Sequence, residues 1–537
     1  MSGVPAPPEA AVAEDRERSP RLSFAYLIAT AIVCGALIMV IEVLGSRVIG
    51  PFFGVSLFVW TSLITVTLVA LAAGYAAGGI LADRQGSPDV LYGIILLAGV
   101  CTLLVPLLKG PVLKATLSWG LRAGALSSSL VLFGPALFLL GCVSPYLVRI
   151  AVREMRSIGR TVGLFTALST VGSFVGTVLT GFVLIAAFGV DTIFSVTGAL
   201  LLALAAGHFL LLRGRWPVAL VLILPFLLSP PPRPLSKVLD NGTTVTRVYE
   251  KDTYYGTVAV VDYSYGPLRH RELMIDGLVQ GGIDVSSRLS IYPYIYHLEF
   301  LPYAMNPSGK TCLVIGLGAG VVPVWYEQRG IRTDVVDIDP AVVAAARQFF
   351  GFSVSGDVVT ADARYYLNTT TKRYDYVILD VFNGDTTPGH ILSREALLLV
   401  RARMSDRGIL AVNLIGSVGS DRFMTASIIR TLEGVFTDVN LYPLFEPTEH
   451  EGRGNITVVA SPAPLPPVDR NVVAEFPVHP QAARAVDRHL GKAYRFPPEA
   501  EAVVLTDDYN PVDVFDVRLK EWVRKTILEN IDRDILI

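Results

Sequence analysis

The sequence predicts a multi-pass α-helical membrane domain, followed by a small antiparallel β unit and a doubly wound α/β domain. Three observations predict this order. Long apolar segments fill the chain from Leu22 to about Leu228. Shorter, β-branched segments separated by turn residues come next. Beyond Thr311, apolar strand-like runs alternate with helix-like segments, which is the pattern of an open α/β sheet.

Composition requires a membrane part. Hydrophobic residues make up 52% of the 537 residues, which is too high for an entirely soluble chain of this length. The net charge of −2 and the lack of basic runs with interleaved aromatic residues give no argument for a nucleic-acid partner, and we expect none. The four cysteines occur singly without metal-ligand spacing, so we expect no metal site.

Changes in composition predict the domain boundaries. Residues 1–22 are rich in Pro, Ala and Glu and are predicted to be a disordered tail. Residues 23–229 are predicted to form the transmembrane domain with about seven helices, because most apolar segments reach the about 20 residues that a bilayer crossing needs. A proline cluster then opens a linker over 230–244. The β unit is expected over 245–300 and the α/β domain over 301–537.

A Gly-rich turn follows the first predicted strand of the α/β domain. In the sequence VIGLGAG, Gly316, Gly318 and Gly320 lie between an apolar run and a predicted helix. Such glycines let backbone N–H groups approach a ligand closely, and a helix start favours negative or polar groups. About 20 residues further on, Asp337 ends the next strand, where a carboxylate typically accepts both hydroxyls of a ribose. The pair predicts a nucleoside-cofactor site.

A second polar site is predicted at the end of a later strand. The predicted strands of the α/β domain cover 312–316, 333–338, 356–360, 375–380 and 408–414. The fourth ends in the polar loop DVFNGDTTPGH. Because ligands bind outside the carboxyl ends of strands in open sheets, this loop places Asp380 beside the cofactor.

Several segments of the C-terminal half carry a family resemblance. In chain order they are Tyr255-Gly256, MIDGLVQ (274–280), His297, VIGLGAG, VDID (336–339), Asp362 of TADARYYL and LDVFNGD (379–385). Through them the region from about Arg247 to Asp513 resembles the spermidine synthase family of polyamine aminopropyltransferases. The whole chain resembles bacterial membrane proteins in which such a domain follows a transmembrane bundle. The resemblance implies a Rossmann-like, class I methyltransferase-type α/β domain.

The resemblance also implies a cofactor and the residues that hold it. The co-substrate would be a sulfonium nucleoside, decarboxylated S-adenosylmethionine, with no metal. Asp337 would bind the ribose hydroxyls and Asp362 the adenine amino group. The remaining cofactor-binding residues would be Gln280, Gly316, Gly318, Gly320 and Ala363. The substrate-binding residues would be Tyr255, His297, Asn383 and Glu449.

Asp380 matches the catalytic carboxylate of the family, and Asp385 is expected to assist it. The proposed reaction also requires such a carboxylate on chemical grounds, without reference to the family. A polyamine is mostly protonated near neutral pH, because aliphatic amines have pKa values of about 10, and an ammonium has no lone pair for attack. A buried carboxylate that accepts the proton is expected to contribute ~10²- to 10⁴-fold in rate.

The sequence departs from the family pattern at several positions. The Gly turn of the family carries an acid that binds the amine of the aminopropyl arm, and Ala319 replaces it here. The second acid of the catalytic loop is Asn383, a helix Glu is Pro293, and the family's Pro-Thr-Tyr reads Pro447-Thr448-Glu449. Because a free amine would lack its partner at Ala319, ordinary S-adenosylmethionine is an alternative co-substrate.

We therefore predict an aminopropyltransferase that acts on a polyamine or another amine. One alternative is an S-adenosylmethionine-dependent methyltransferase with a membrane-delivered substrate. Another is a polyamine transporter or sensor with a non-catalytic synthase-like domain, which is suggested by Glu42 in an apolar segment and by GGILADRQG (78–86), similar to a loop of major facilitator transporters. The expected partners are a small amine and the lipid bilayer, and a homodimer is left open.

The sequence predicts a multi-pass protein of the cell membrane but not the side on which its soluble part lies. Lys and Arg residues between the apolar segments favour a cytoplasmic N-terminus. Seven crossings would then place the α/β domain outside the cell, away from the cytosolic pool of nucleoside cofactors. The two arguments conflict, so the side is left open.

Overall fold

The structure is a computed structural model that describes residues 24–54, 57–152, 158–228, 235–382, 388–512 and 517–530. The predicted tail at 1–22 and the first residues of the predicted linker lie outside these ranges. The chain divides into two compact units. One contains most of the N-terminal helices and the other contains both β-sheets.

The N-terminal unit consists of apolar helices. Their bounds are Phe24–Phe53 (α1), Leu57–Arg84 (α2), Pro88–Thr116 (α3), Gly120–Ala151 (α4), Ile158–Leu179 (α5) and Val190–Gly207 (α6). π-helical turns extend α5 through Thr180–Leu184 and α6 through His208–Leu212. Within the described residues, five continuous helices are long and apolar enough to cross a membrane by length and composition, and the third of them, Pro88–Ala151, joins α3 to α4. Trp216–Leu227 is a shorter apolar helix.

Small residues bring α1 and α5 close together. A Cβ atom added to Gly172 would collide with the backbone of Ile32, and one added to Gly176 would collide with Ala36. Glycine at these positions therefore permits backbone contact between the two helices, as is usual in bilayer bundles.

The first sheet of the C-terminal unit is an antiparallel meander. Its strands are Ser236–Val238 (β1), Thr244–Asp252 (β2), Thr257–Tyr265 (β3), Leu268–Ile275 (β4) and Leu278–Asp284 (β5), paired in that order. An antiparallel β unit was predicted in this part of the chain, and the hairpin from β3 to β4 turns at Gly266, whose φ is 56°. Helix α7, Pro293–Met305, then leads to the second sheet.

The second sheet has seven strands and is mixed. In chain order they are Thr311–Ile315 (β6), Arg332–Asp337 (β7), Val358–Thr360 (β8), Tyr374–Leu379 (β9), Met404–Ser417 (β10), Asp438–Pro443 (β11) and Arg453–Ser461 (β12). Their spatial order is β11-β12-β10-β9-β6-β7-β8. The strands from β6 to β10 pair in parallel, and β12 pairs antiparallel with β10 and β11. The predicted doubly wound α/β domain is therefore confirmed.

Helices cover both faces of this sheet. They are Val321–Glu327 (α8), Pro340–Phe350 (α9), Ala363–Thr369 (α10), Arg394–Ala402 (α11), Phe423–Glu433 (α12) and Pro480–His489 (α13). A further helix, Val517–Asn530 (α14), follows in the chain. Alternate residues of β6 point to opposite faces, as strand geometry requires. Val314 joins the core that contains α7, α8 and α9, whereas Leu313 and Ile315 join the core that contains α10, α11 and α12.

Candidate active site

The site is organised around the turn between β6 and α8. Gly316, Gly318 and Gly320 have φ values of 88°, 50° and 76°, in the left-handed region that favours glycine. A Cβ atom on Gly316 would collide with the carbonyl oxygen of Asp380, and one on Gly318 would collide with that of Gln280. The glycines therefore allow the segment after β9 and strand β5 to contact the turn directly.

Asp337 is the last residue of β7 and lies on one side of this turn. Its Oδ2 accepts a hydrogen bond from the backbone N–H of Leu317 (2.8 Å), and its Oδ1 accepts one from Asp339 (2.8 Å). Burial raises the pKa of Asp337 to about 6, although these backbone hydrogen bonds oppose the shift. The carboxylate is thus held next to the Gly turn and is ionised at neutral pH.

Asp380 follows β9 and lies on the other side of the turn. Its backbone N–H donates to the carbonyl of Ile315 (2.9 Å), and its Oδ1 accepts a hydrogen bond from Asn413 Nδ2 (2.8 Å). Burial raises the pKa of Asp380 to about 6. Burial, together with the charge of Asp380, also raises the pKa of Tyr294 on α7. A half-buried carboxylate with such a pKa is suited to accept a proton near neutral pH.

The strand order explains why the two carboxylates flank one turn. Strand β6 lies between β9 and β7, and all three are parallel, so their carboxyl ends meet at one edge of the sheet. The chain runs from β6 outward through β7 and β8 and then returns to β9 on the other side of β6. This reversal is the topological switch point, where ligands bind in open α/β sheets.

Asp362 belongs to the same edge. It follows β8, caps α10 by accepting a hydrogen bond from Tyr365 N–H (3.0 Å), and precedes the buried Ala363. Burial raises the pKa of Tyr255, and the charges of Asp339, Asp362 and Asp337 add to the shift. The backbone N–H of Tyr255 donates to Thr253 Oγ1 (3.1 Å), which in turn donates to Asp339 Oδ2 (2.6 Å), so the backbone of Tyr255 is linked to the segment after β7.

Residue 319 lies where the Gly turn meets β5. A Cβ atom on Gly281 would lie 3.2 Å from the Cβ of Ala319, and Ala319 is buried. Residue 319 therefore contributes a methyl group and not a carboxylate to this contact.

Two of the predicted substrate-binding residues lie beside α13. His297 is 0% exposed in the core, where burial and then the charge of His489 lower its pKa to about 3. Neither ring nitrogen has a hydrogen-bond partner within the described residues. Glu449 Oε1 accepts a hydrogen bond from Arg488 (3.0 Å) on α13. His297 is thus a buried core residue, and Glu449 is paired with α13.

Two other predicted residues, Asn383 and Asp385, lie outside the described residues. Within the described ranges, no group of three or more His, Cys, Asp or Glu side chains is arranged to hold a metal ion.

Sequence reasoning missed Asn413, Tyr294 and Glu272. Asn413 is a lone polar residue within the apolar run of β10, and a polar residue beside a predicted catalytic strand was a usable signal. Glu272 is buried on β4, accepts a hydrogen bond from Tyr292 Oη (2.5 Å), and has its pKa raised by burial to about 7. No pattern in the sequence marks it, since it lies in an otherwise ordinary strand.

Comparisons with known proteins give partial matches, and no family model matches the sequence. The chain is 33% identical over 137 residues to the polyamine aminopropyltransferase of Vibrio vulnificus, covering 24% of this chain and 46% of that protein. It is 33% identical over 140 residues to the N-terminal histidine N-methyltransferase of Emericella nidulans, covering 25% of each. The match to polyamine aminopropyltransferase 2 of Pseudomonas aeruginosa is 28% identical over 209 residues, covering 36% of this chain and 57% of that protein.

Solved structures similar to the chain include a probable spermidine synthase from Corynebacterium glutamicum, at 17% identity and a TM-score of 0.39, covering 48% of this chain and 94% of that one. Human methyltransferase-like protein 13, solved in complex with SAH, is similar at 22% identity and a TM-score of 0.28, covering 38% of this chain and 92% of that one. The chain spans from a quarter to just over half of the length of the three curated relatives named above. The aminopropyltransferase relatives confirm the predicted resemblance for the part of the chain that they match, which is spermidine synthase-like.

Proposed function

We propose that the protein is a membrane-bound transferase that moves an aminopropyl group from decarboxylated S-adenosylmethionine to a polyamine or another amine. The observation that carries the proposal is the pair of half-buried carboxylates, Asp337 and Asp380, on the two sides of the Gly turn. The sequence similarity to polyamine aminopropyltransferases supports the same assignment.

Each carboxylate has a distinct proposed role. Asp337 would accept hydrogen bonds from the ribose hydroxyls, and Asp362 would accept a hydrogen bond from the adenine amino group. Backbone groups of the Gly turn would pass close to the nucleoside, because the glycines leave no side chain in the way. A cationic sulfonium would be favoured between ionised acids, since opposite charges attract strongly in a partly buried site.

Asp380 would act as the base in a direct displacement. The acceptor nitrogen forms a bond to the propyl carbon next to sulfur while the carbon–sulfur bond breaks, and both electrons of that bond go to sulfur. The products are a neutral thioether, 5′-methylthioadenosine, and an alkylated ammonium. Since an ammonium has no lone pair for the attack, Asp380 takes one proton from the acceptor nitrogen before the new bond forms. Because its pKa is about 6, Asp380 is ionised and able to accept this proton at neutral pH.

The test measures thioether release by the purified full chain in lipid nanodiscs. Decarboxylated S-adenosylmethionine and putrescine or spermidine are supplied, and 5′-methylthioadenosine is quantified by mass spectrometry. We expect Asp380→Asn to slow release by ~10²- to 10⁴-fold. Asp406→Asn, at a side chain that is 99% exposed, is the matched control and should keep the rate. Equal rates for wild type and Asp380→Asn would refute the role of Asp380.

A methyltransferase is the second candidate, and Ala319 is the observation that favours it. With a methyl group at this position, the site has no acid there to select a donor that carries an amine without a carboxylate. The similarity to an N-terminal histidine N-methyltransferase points the same way. The same assay with intact S-adenosylmethionine distinguishes the two, because methyl transfer releases S-adenosylhomocysteine instead of 5′-methylthioadenosine.

A further inference from the structure

The side chains of Asp380, Asn413 and Asn455 form a polar row across neighbouring strands of the second sheet. Strand β10, which carries Asn413, lies between β9, which Asp380 follows, and β12, which carries Asn455. Alternate residues of a strand point to the same face. Ala411, two residues before Asn413, joins the core that contains α7, and α7 packs against β10 and β12. The polar row therefore lies on the face of the sheet that α7 covers.

Hydrogen bonds join this row in one direction. Asn413 Nδ2 donates to Asp380 Oδ1 (2.8 Å), and Asn455 Nδ2 donates to Asn413 Oδ1 (3.4 Å). An ionised carboxylate only accepts hydrogen bonds, whereas an Asn amide donates at one end and accepts at the other. The donating end of Asn413 therefore faces Asp380, and its accepting end faces Asn455.

Asn413 is an unfavourable residue for its place in the strand. It is 1% exposed and interrupts the otherwise apolar stretch ILAVNLI (409–415). A buried amide costs free energy unless it is hydrogen-bonded, and Asn is disfavoured in strands. A hydrogen bond to a charged group offsets this cost better than a neutral one does. Here the hydrogen bond from Asn413 lowers the pKa of Asp380 and so opposes the effect of burial.

We propose that Asn413 is a positioning residue, which presents its N–H donor to Asp380 and thereby keeps this carboxylate ionised and held in place for the acceptor nitrogen. Asn455 keeps the amide of Asn413 in the orientation that this role requires. The inference rests on the proposed function, because it assumes that Asp380 takes a proton during the transfer.

The experiment measures kcat/KM for release of 5′-methylthioadenosine as a function of pH. The purified full chain in nanodiscs is supplied with decarboxylated S-adenosylmethionine and putrescine. One variant is Asn413→Leu, which has a similar size but no donor. The other is Asn455→Asp, which places a group that only accepts hydrogen bonds on the far side of the Asn413 amide. Asn440→Leu is the matched control, because Asn440 lies on β11, opposite Val459 and three strands from β9.

We expect Asn413→Leu to move the acid limb of the pH profile upward by ~1 pH unit, the size of one lost hydrogen bond to a charged group. Without the donor, burial acts on Asp380 unopposed, so the carboxyl keeps its proton to a higher pH. Asn455→Asp should move the limb in the same direction, because two carboxylates then compete for the one donating end of Asn413. Asp380, whose pKa is already raised, is the one that takes a proton. Asn440→Leu should keep the limb of the wild type.

A merely structural role would lower the rate at every pH and leave the acid limb in place. That result for both variants would overturn the inference while leaving the proposed function intact. If Asn413→Leu does not fold, Asn455→Asp decides alone, since this exchange preserves the shape of the side chain. Failure of the wild type to release 5′-methylthioadenosine is a different result, which would overturn the proposed function and the inference with it.

Discussion

At the scale of single residues, the ionised Asp380 side chain lowers the stability of the folded protein, and its proposed role as a base would explain why it is present. Its pKa of about 6 lies above the 3.8 expected for an unperturbed Asp, so ionising it in the folded protein costs up to about 3 kcal/mol more than in the unfolded chain. Because the pKa is higher in the folded than in the unfolded protein, ionisation favours the unfolded state. The cost is fully present above the folded pKa of about 6 and disappears below 3.8.

Replacing Asp380 by Asn should remove this free-energy cost of ionisation. Asp380→Asn should raise the midpoint of thermal unfolding at pH 8, because it removes a carboxylate that is ionised against its environment while leaving an acceptor for Asn413. The gain should vanish at pH 4. Unfolding followed by intrinsic fluorescence in nanodiscs would measure it. A destabilised variant at pH 8 would show that the Asp380 carboxylate is stabilised by its surroundings, contrary to its raised pKa.

Ala319 supports a second residue-scale prediction. Ala319→Asp should shift the preference towards decarboxylated S-adenosylmethionine by ~10-fold, because a carboxylate beside the donor's arm attracts its ammonium and repels the carboxylate of the intact donor. The ratio of the two dissociation constants measures the shift. An unchanged ratio would show that residue 319 does not contact the arm.

The positions of residues were predictable from the sequence where strand ends determine them. Asp337, Asp362 and Asp380 each follow a recognisable apolar run, and the carboxyl ends of parallel strands share one edge, so their proximity follows from the sequence pattern alone. The environment of His297 could not be inferred, because nothing in the sequence around it distinguishes a buried helix position from one that faces a ligand. Asn413 and Tyr294 could not be assigned to the site from the sequence. They come near Asp380 only because β10 and α7 pack around it in the folded protein.

At the scale of elements, the turn between β6 and α8 depends on close backbone contacts. Gly316→Ala should abolish binding of the nucleoside probe, because a Cβ atom would collide with the carbonyl of Asp380 and separate the two carboxylates. Gly330→Ala is the matched control. Gly330 also has a positive φ, 71°, but a Cβ atom there would meet nothing within 4 Å.

The control separates backbone strain from close contact. Gly330→Ala should cost stability by ~1 kcal/mol and keep probe binding. Equal loss of binding by both variants would show that positive φ alone, and not the contact with Asp380, makes Gly316 necessary.

The elements themselves were largely predictable, with specific gaps. The five predicted strands of the α/β domain are present within a few residues because apolar β-branched runs mark buried parallel strands. Strands β11 and β12 were not predicted. They form an antiparallel edge whose sequence is partly polar, and β12 joins the sheet by pairing with the more distant β10, where Asn413 lies opposite Thr457.

At the scale of the whole molecule, the helix Pro88–Ala151 bears on the number of membrane crossings. Its 64 residues would measure about 96 Å as one straight helix, three times the thickness of a bilayer core. Its two parts, α3 and α4, pack against each other and are joined by the 3₁₀ turn Leu117–Trp119, and Gly120 after it has a φ of 81°. They are therefore expected to form two crossings, which makes six candidate crossings among the described residues.

An even number of crossings would remove the conflict between the charge bias and the cofactor supply. If the N-terminus is cytoplasmic, as the Lys and Arg distribution favours, six crossings place the C-terminal unit in the cytoplasm. A C-terminal fusion should then be active for a cytoplasmic reporter such as green fluorescent protein and inactive for alkaline phosphatase. The opposite pattern would contradict the count and remove the proposed donor from reach of the site.

The central claim is that Asp337 and the Gly turn bind an adenosyl sulfonium donor beside Asp380. Calorimetric titration of the full chain in nanodiscs with decarboxylated and intact S-adenosylmethionine tests it most directly. The account predicts that at least one donor binds to wild type with a stoichiometry of about one, and that Asp337→Asn and Asp362→Asn each weaken binding by ~10-fold or more. Failure of both donors to bind wild type, or undiminished binding by both variants, would contradict it.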